Sequence, residues 1–133
     1  MSLLCPDVGE VQLLKVALGK AAQEDQTLKL FTNDKTPAEG DVAGDYTEAS
    51  GSGYAAKTLT GSSWSVANDA GVTTAEYAEQ EFAFSGALGN VYGYFIIGAT
   101  SGLILWAERF TGAPFNVAGA TTPIRITPKI TLE

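Results

Sequence analysis

The stretch that decides the fold is VYGYFIIGATSGLILWAERF, residues 91–110. Two runs rich in apolar, aromatic and β-branched residues flank the short polar break ATSG, in which Gly102 can take the positive φ that a tight turn needs. This pattern predicts a β-hairpin. Its strands are apolar on both faces, because Tyr94 points to one side and its apolar neighbour Phe95 to the other. We therefore expect cover on both sides: the core of the domain on one, and a helix, a loop or a second subunit on the other.

A single helix is predicted ahead of the strands, over residues 7–18. Asp7 and Glu10 have the spacing of a capping box, and Gly19 follows as a stop signal. Apolar side chains recur at helical spacing along one stripe of this segment, namely Val8, Val11, Leu14 and Leu18. We expect this helix to cover one face of a sheet.

Short segments of strand-forming residues, separated by turns, account for most of the remaining chain. Besides the hairpin, they lie at residues 27–32, 54–59, 64–66, 73–84 and 124–132. The last segment alternates most regularly, and Pro128 within it cannot donate to a ladder, so it should be an edge strand or carry a bulge. Residues 37–53 and 111–122 are predicted to be loops, and the first is long enough to be functional or to be ordered by a partner.

One helix and about seven or eight short strands predict a single domain over residues 1–133. The predicted fold is mainly β: an antiparallel β-sandwich or jelly-roll-like barrel with one short N-terminal helix. Residues 1–6 precede the helix as a possible N-terminal arm. Within this arm, Leu3 and Leu4 are either a docking contact to a neighbouring subunit or part of a frayed terminus.

The composition narrows the classes of function. Histidine is absent, so the commonest general base, the Ser-His-Asp constellation and the commonest zinc ligand are all missing. The single cysteine, Cys5, cannot form an intrachain disulfide, and we expect a small buried hydrophobe rather than a reactive thiol. No apolar run approaches the roughly 18 residues of a membrane span, and the first residues lack a secretory signal pattern. We expect the protein to be made in a cytoplasm.

The charge is strongly acidic and unevenly distributed. The net charge is −7, which makes the chain a poor binder of nucleic-acid phosphates. Acidic residues dominate residues 34–48 and 69–81, whereas Arg109, Arg125 and Lys129 make the last part of the chain basic. This distribution predicts either a solvated acidic surface or head-to-tail charge complementarity between copies or partners.

Three patterns in the sequence are candidates for chemical sites. Asp41 and Asp45, with Glu39 and Glu48 nearby, offer carboxylates for Ca²⁺ without the ligand spacing of an EF-hand. The four glutamates that might supply a paired-carboxylate hydrolase are Glu76, Glu79, Glu81 and Glu108. The glycines of GSG, residues 51–53, are not followed by a helix that would bind a nucleotide phosphate. In each case the solvated or purely structural interpretation is preferred, and we predict no catalytic residue, no metal and no cofactor.

The hairpin and its surroundings supply candidates for an interface instead. Tyr92, Tyr94, Phe95 and Trp106 are open to three interpretations: core packing, a subunit contact or a sugar-stacking platform. Arg109 is either at the point where a strand emerges into solvent or in an interchain salt bridge, and Phe115 is a loop anchor or an exposed contact. The predicted subunit or partner interface consists of Leu3, Leu4, Tyr92, Tyr94, Trp106, Arg109 and Phe115.

Several landmarks of the chain are similar to those of a known group of proteins. These are LKLFTNDKTPAEGD at residues 28–41, EASGSGY at 48–54, Trp64, VYGYFI at 91–96 and LILWAERF at 103–110. Together they resemble small structural proteins of tailed bacteriophages, over most of the chain from Leu13 onward. The resemblance implies a head decoration or cement protein, a class in which β-rich trimers clamp neighbouring capsid subunits.

The expected function is therefore that of a non-enzymatic virion protein that binds and stabilises the assembled phage head. Its expected partners are copies of itself, as a homotrimer, and the major capsid protein, with no nucleic acid and no membrane. Its expected location is the surface of the phage head. The alternatives are a tail or baseplate component and a carbohydrate-binding β-sandwich module, in which Tyr92, Tyr94 or Trp106 would stack on sugar rings.

Overall fold

The computed structural model describes residues 3–132; Met1 and Ser2 of the predicted arm, and Glu133, lie outside them. The protein is mainly β with one helix, which confirms the predicted class of a β-sandwich with a short N-terminal helix. The elements are α1 (Asp7–Ala17), β1 (Gln26–Phe31), β2 (Lys57–Leu59), β3 (Ser65–Asp69), β4 (Val72–Glu76), β5 (Gln80–Phe82), β6 (Gly89–Val91), β7 (Gly93–Gly98), β8 (Ile104–Arg109), β9 (Phe115–Val117), β10 (Ile124–Ile126) and β11 (Lys129–Leu132). Two short 3₁₀ turns lie at Ala43–Asp45 and Gly61–Ser63.

A four-stranded antiparallel sheet forms the first layer, in the order β2-β1-β7-β8. The predicted hairpin is its β7–β8 half, and Gly102 in the connecting turn has the expected positive φ, 71°. The pairing shifts register between Ile96 and Ile97, because Ile96 pairs with Trp106 and Ile97 with Ile104. Leu105 is the extra residue of this bulge, which bends β8.

The remaining strands form three smaller antiparallel sheets, β5–β10, β6–β9 and β11-β4-β3. More strands form than the sequence predicts because the long segments break. The segment 124–132 divides at Pro128 and the segment 73–84 divides at Tyr77, and the Tyr77 N–H donates to the Pro128 carbonyl at 2.9 Å. The two breaks therefore lie side by side, and both segments pass from one sheet to another at this point.

Both faces of the hairpin are covered within the chain. The first face packs against strands β5, β6, β9 and β10 to form the larger core. The buried residues of this core are Leu28, Leu30, Ala49, Leu59, Phe82, Phe84, Val91, Tyr94, Ile96, Val117, Ile124 and Ile126. The second face forms a smaller core of Phe31, Tyr46, Phe95, Ile104 and Ala107, with Val8 of α1 packed against it. The Tyr46 ring stacks on Phe95 with centroids 5.2 Å apart. A helix and a loop, two of the three expected kinds of cover, account for this second face.

The helix covers the sheet with a different side from the one that the sequence stripe indicates. Gly9 is buried against β8, whereas Val11, Leu14 and Leu18 are 52%, 65% and 72% exposed. The helix covers one face of the sheet as predicted, but of the four residues of the stripe only Val8 packs against the smaller core. The smallest residue allows the closest approach of helix and strand, and the apolar stripe consequently faces outward. Asp7 does not cap the helix either, since Pro6 occupies the N-cap position with no side-chain hydrogen bond.

Candidate functional site

Most of the residues predicted for an interface lie in intrachain contacts. Tyr94 is 5% exposed, and its hydroxyl donates to Glu108 Oε2 at 3.2 Å. Trp106 is half-buried against the same core. The Tyr92 ring lies under the guanidinium of Arg109, 5.2 Å from its centroid. Burial of Tyr94 and the position of Arg109 over Tyr92 disfavour a sugar-stacking platform of these rings.

Arg109 is held by the loop that follows β1. Its Nη1 lies 2.7 Å from Asp34 Oδ1 and donates to the carbonyl oxygen of Lys35 at 3.0 Å. Arg109, for which an interchain salt bridge was one of two interpretations, therefore has an acidic partner in this same chain. The other two basic residues near the end of the sequence also have acidic partners in this chain: Arg125 contacts Glu81 at 2.7 Å, and Lys129 lies 3.9 Å from Glu76. The basic residues near the end of the sequence therefore pair with acidic residues of the same chain.

The described part of the predicted arm also contacts its own domain. Leu4 forms an isolated antiparallel bridge with Ala107, donating to its carbonyl at 2.8 Å and accepting from its N–H at 2.9 Å. Leu3 packs against the larger core. Cys5 next to them is half-buried, and burial, then the Glu10 carboxylate, raise the pKa of its thiol to about 11. A thiol with that pKa is almost wholly protonated at neutral pH and is a poor nucleophile.

Phe115 is the predicted interface residue with the greatest exposure, 40%. It lies in β9 opposite Val91 and follows the cis peptide bond Ala113–Pro114. With Phe110, Pro123 and the turn between β8 and β9 it lines an open hollow of about 230 Å³. The hollow is shallow and largely apolar, which suits a contact better than a reaction.

The loop between β1 and β2 is folded around a buried carboxylate. Asp41 is 6% exposed and accepts from Lys35 Nζ at 2.7 Å, the Tyr46 hydroxyl at 2.7 Å and the Ala38 N–H at 2.8 Å. Burial alone would raise the pKa of Asp41, but these hydrogen bonds and the Lys35 charge outweigh it and lower that pKa. The loop predicted over residues 37–53 is thus ordered by its own chain.

Most of the carboxylates that the sequence offers for chemistry have a partner within the chain: Glu79 and Glu81 both lie near Arg125, at 3.9 and 2.7 Å, and Glu76 lies near Lys129. The Asp41 carboxylate is engaged in the hydrogen bonds given above. Asp45 Oδ2 accepts from the Val42 N–H at 2.9 Å and caps a 3₁₀ turn. Glu108 is half-buried beside Tyr94. Burial raises the pKa of Glu108, although the hydrogen bond from Tyr94 opposes the rise. Within residues 3–132, no group of three His, Cys, Asp or Glu side chains is arranged to hold a metal ion.

Glu24 has a structural role that was not predicted from the sequence. Its carboxylate accepts from the backbone N–H groups of Thr100 and Ser101 at 3.0 and 2.8 Å, and from the Ser101 hydroxyl at 2.6 Å. Partial burial would raise the pKa of Glu24, but these three hydrogen bonds outweigh it and lower that pKa. The carboxylate thereby fixes the turn of the β7–β8 hairpin from 76 residues away in sequence.

Among the described residues, the most exposed large apolar side chains lie on two surfaces. The first, the α1 stripe, consists of Val11, Leu14 and Leu18. The second, the uncharged face, is one side of the β11-β4-β3 sheet and is formed by Val66, Asn68, Thr73, Ala75, Ile130 and Leu132. Val66 and Leu132 are 68% and 69% exposed. The alternation of residues 124–132 predicts that Ile130 and Leu132 share the environment of Ile124 and Ile126. In the structure, the break at Pro128 separates the two pairs.

No protein-family model, curated protein or solved structure matches this chain. Within the described residues, the helix is too short and too polar to cross a membrane. The candidate functional site is therefore defined by exposure and chemistry alone: the α1 stripe, the uncharged face and the hollow beside Phe115.

Proposed function

We propose that this chain is a non-enzymatic structural protein of a tailed-phage particle, most simply a decoration or cement protein that binds the assembled head as a homotrimer. The observation that carries the proposal is the apolar surface that the folded chain leaves uncovered on the α1 stripe and the uncharged face. Contiguous exposed apolar surface on a small domain commonly marks a site of protein contact. The phage head as the location follows from the sequence resemblance.

The interior of the molecule supports a structural role. Among the described residues, every buried side-chain nitrogen or oxygen atom has a hydrogen-bond partner. Arg109 binds the loop after β1 to β8, Glu24 holds the turn of the β7–β8 hairpin, and Asp41 holds the β1–β2 loop together from within. Such fully satisfied polar contacts make a domain rigid.

The hairpin itself does not contribute to the proposed contacts as the sequence suggested. Its two faces are buried against the chain's own cores, so the surplus apolar surface lies elsewhere. The α1 stripe is the clearest instance, because an amphipathic helix normally turns such a stripe toward its own sheet. A helix that packs through Gly9 and presents leucines to solvent gains nothing in stability from those leucines.

The mechanism would be mass action. A protein that binds only the assembled lattice stabilises that lattice over the free subunits, and many copies on one shell add their weak contacts through high effective concentration. A tail or baseplate component would use the same surfaces. The carbohydrate-binding alternative is less well supported, because Tyr94 is buried and Tyr92 is covered by Arg109.

Antibody labelling of intact particles tests the proposal. A gold-labelled antibody against this chain is expected to bind the head of the phage that encodes it, at many sites per particle. Labelling confined to the tail or baseplate would replace the head assignment by the alternative, and particles that contain none of the protein would contradict a structural role.

A further inference from the structure

The β11-β4-β3 sheet differs from the other sheets in being little buried. All five residues of β3 are exposed, and β11 contains one half-buried residue among three exposed ones. Directly paired residues of antiparallel strands lie on the same side of a sheet. One row of the uncharged face is therefore Val66, Ala75 and Ile130, and the next row is Asn68, Thr73 and Leu132.

The two sides of this sheet have different chemistry. On the uncharged face, the polar side chains of Asn68 and Thr73 hydrogen-bond to each other at 2.8 Å, so that face needs no outside partner for them. The opposite side carries the Glu76–Lys129 ion pair and Asp69. Uncharged side chains on one side, four of the six apolar, and charges on the other make this an amphipathic sheet.

An amphipathic three-stranded sheet is expected to have its apolar side covered. Small sheets gain stability from burying an apolar face rather than from strand pairing alone. No residue of the described chain fully covers Val66 or Leu132, which remain more than two-thirds exposed. These two side chains are therefore open to an occupant from outside the folded chain.

We propose that the uncharged face is the surface through which copies of this chain associate, each copy covering the face of another. The charge distribution favours this occupant. The chain carries a net charge of −7, so two copies repel unless they meet through a patch without like charges, and the uncharged face is such a patch. A basic partner protein would instead be recognised by the side that bears the carboxylates.

The size of the face predicts a modest affinity. Three strands about 4.8 Å apart and rows about 7 Å apart along them give a patch roughly 10–15 Å across. This is below the ~800 Å² per partner of a stable standard interface, so neighbouring surface must contribute and free association should be weak. Association through this face extends the proposed function. The expected number of three copies rests on that proposed function.

Adjacent positions of β3 provide a matched test. Val66 and Ala67 are both exposed and lie on opposite sides of the same strand, so Val66→Glu and Ala67→Glu change the net charge equally. Sedimentation velocity is measured for the wild type and both variants from micromolar to near-millimolar concentration, with circular dichroism to check folding. The expected result is an oligomeric wild type, an oligomeric Ala67→Glu variant and a monomeric, folded Val66→Glu variant. Leu132→Glu, with Thr131→Glu as its control, repeats the comparison on β11.

Three results would overturn the inference: a monomeric wild type over the whole range, a Val66→Glu variant that stays oligomeric, or equal dissociation by both β3 variants. Should Val66→Glu fail to fold, the Leu132→Glu pair decides in the same way. Failure here is distinguishable from failure of the proposed function. Particles labelled by the antibody together with a monomeric free protein would remove the self-association face only, whereas an oligomer absent from particles would remove the structural role only.

Discussion

Gly9 of α1 lies directly against the backbone of Leu105 in β8. A Cβ atom at Gly9 would be 2.8 Å from the Leu105 carbonyl oxygen and 2.9 Å from that of Ile104. Both neighbours are backbone atoms at the bulge of the hairpin, so neither can move aside as a flexible side chain would. This contact sets the side of the helix that faces the sheet, and hence the side that faces outward.

We predict that Gly9→Ala destabilises the protein. Alanine is the better helix former by about 1 kcal/mol, but overpacking against a fixed backbone costs about 1–3 kcal/mol, and we expect a net loss of up to about 2 kcal/mol. The measurement is urea unfolding of the variant and the wild type. Gly40→Ala is the control, because the space around Gly40 is open and that variant should unfold at an unchanged or slightly higher urea concentration. A Gly9→Ala variant as stable as the wild type would show that the contact does not determine how α1 packs.

The same contact explains which parts of the fold the sequence could predict. Alternation and turn composition depend on neighbouring residues, so the hairpin, the mainly β class and the bounds of α1 were predictable. The orientation of α1 depends on the fit between Gly9 and a bulge near residue 105, which periodicity does not encode. Pro128 predicts an edge strand or a bulge, whereas the strand breaks there, and the contact of Pro128 with Tyr77 was not predictable because it spans 51 residues.

The candidate site was less predictable for a related reason. Composition and hydrophobicity locate apolar residues without showing which of them the folded chain covers. Tyr94 and Trp106 were assigned to an interface on their chemistry, and long-range packing places them against the core. Val66 is an ordinary strand residue in the sequence, and its exposure follows only from the separation of the β11-β4-β3 sheet from the core strands.

A second prediction concerns the buried carboxylate of Asp41. Asp41→Asn keeps the shape but removes the negative charge that faces Lys35 and the Tyr46 hydroxyl, so we expect a loss of about 2–3 kcal/mol in the free energy of unfolding at neutral pH. Because the pKa of Asp41 is lowered in the folded state, its contribution is complete above the ordinary aspartate pKa and is lost as the pH falls through the lowered value.

The measurement for Asp41 is urea unfolding from neutral to acidic pH. The gap between the wild type and Asp41→Asn should narrow on acidification. The exposed Asp7 provides the control, since Asp7→Asn should change stability little at any of these pH values. A gap that is independent of pH would contradict the assigned role of the Asp41 charge.

A third prediction has the opposite sign. Burial raises the pKa of Glu108, so its charged form destabilises the folded state above the ordinary glutamate pKa. Glu108→Gln removes this charge and retains an acceptor for the Tyr94 hydroxyl. We expect a slightly higher melting temperature at neutral pH and no gain at acidic pH, where glutamate is protonated in both states. Lower stability at neutral pH would show that the Glu108 charge is favourable where it lies.

A fourth prediction concerns the α1 stripe. Leu14 is 65% exposed, so Leu14→Gln should change the free energy of unfolding by no more than about 0.5 kcal/mol. If the stripe contacts the particle, the same change should weaken binding to particles stripped of this protein by about five- to thirty-fold, the effect of losing a contact of about 1–2 kcal/mol. Co-sedimentation of purified protein with such particles measures this. Leu13→Gln, on another side of the helix and 39% exposed, should bind as the wild type does.

The central claim is that the chain acts through apolar surface that it cannot cover by itself, and a cryo-EM map of the phage particle tests this claim most directly. The account predicts density for many copies on the head, with the α1 stripe and the uncharged face both covered by neighbouring subunits. A particle in which the protein is present with both surfaces open to solvent, or from which it is absent, would contradict the account.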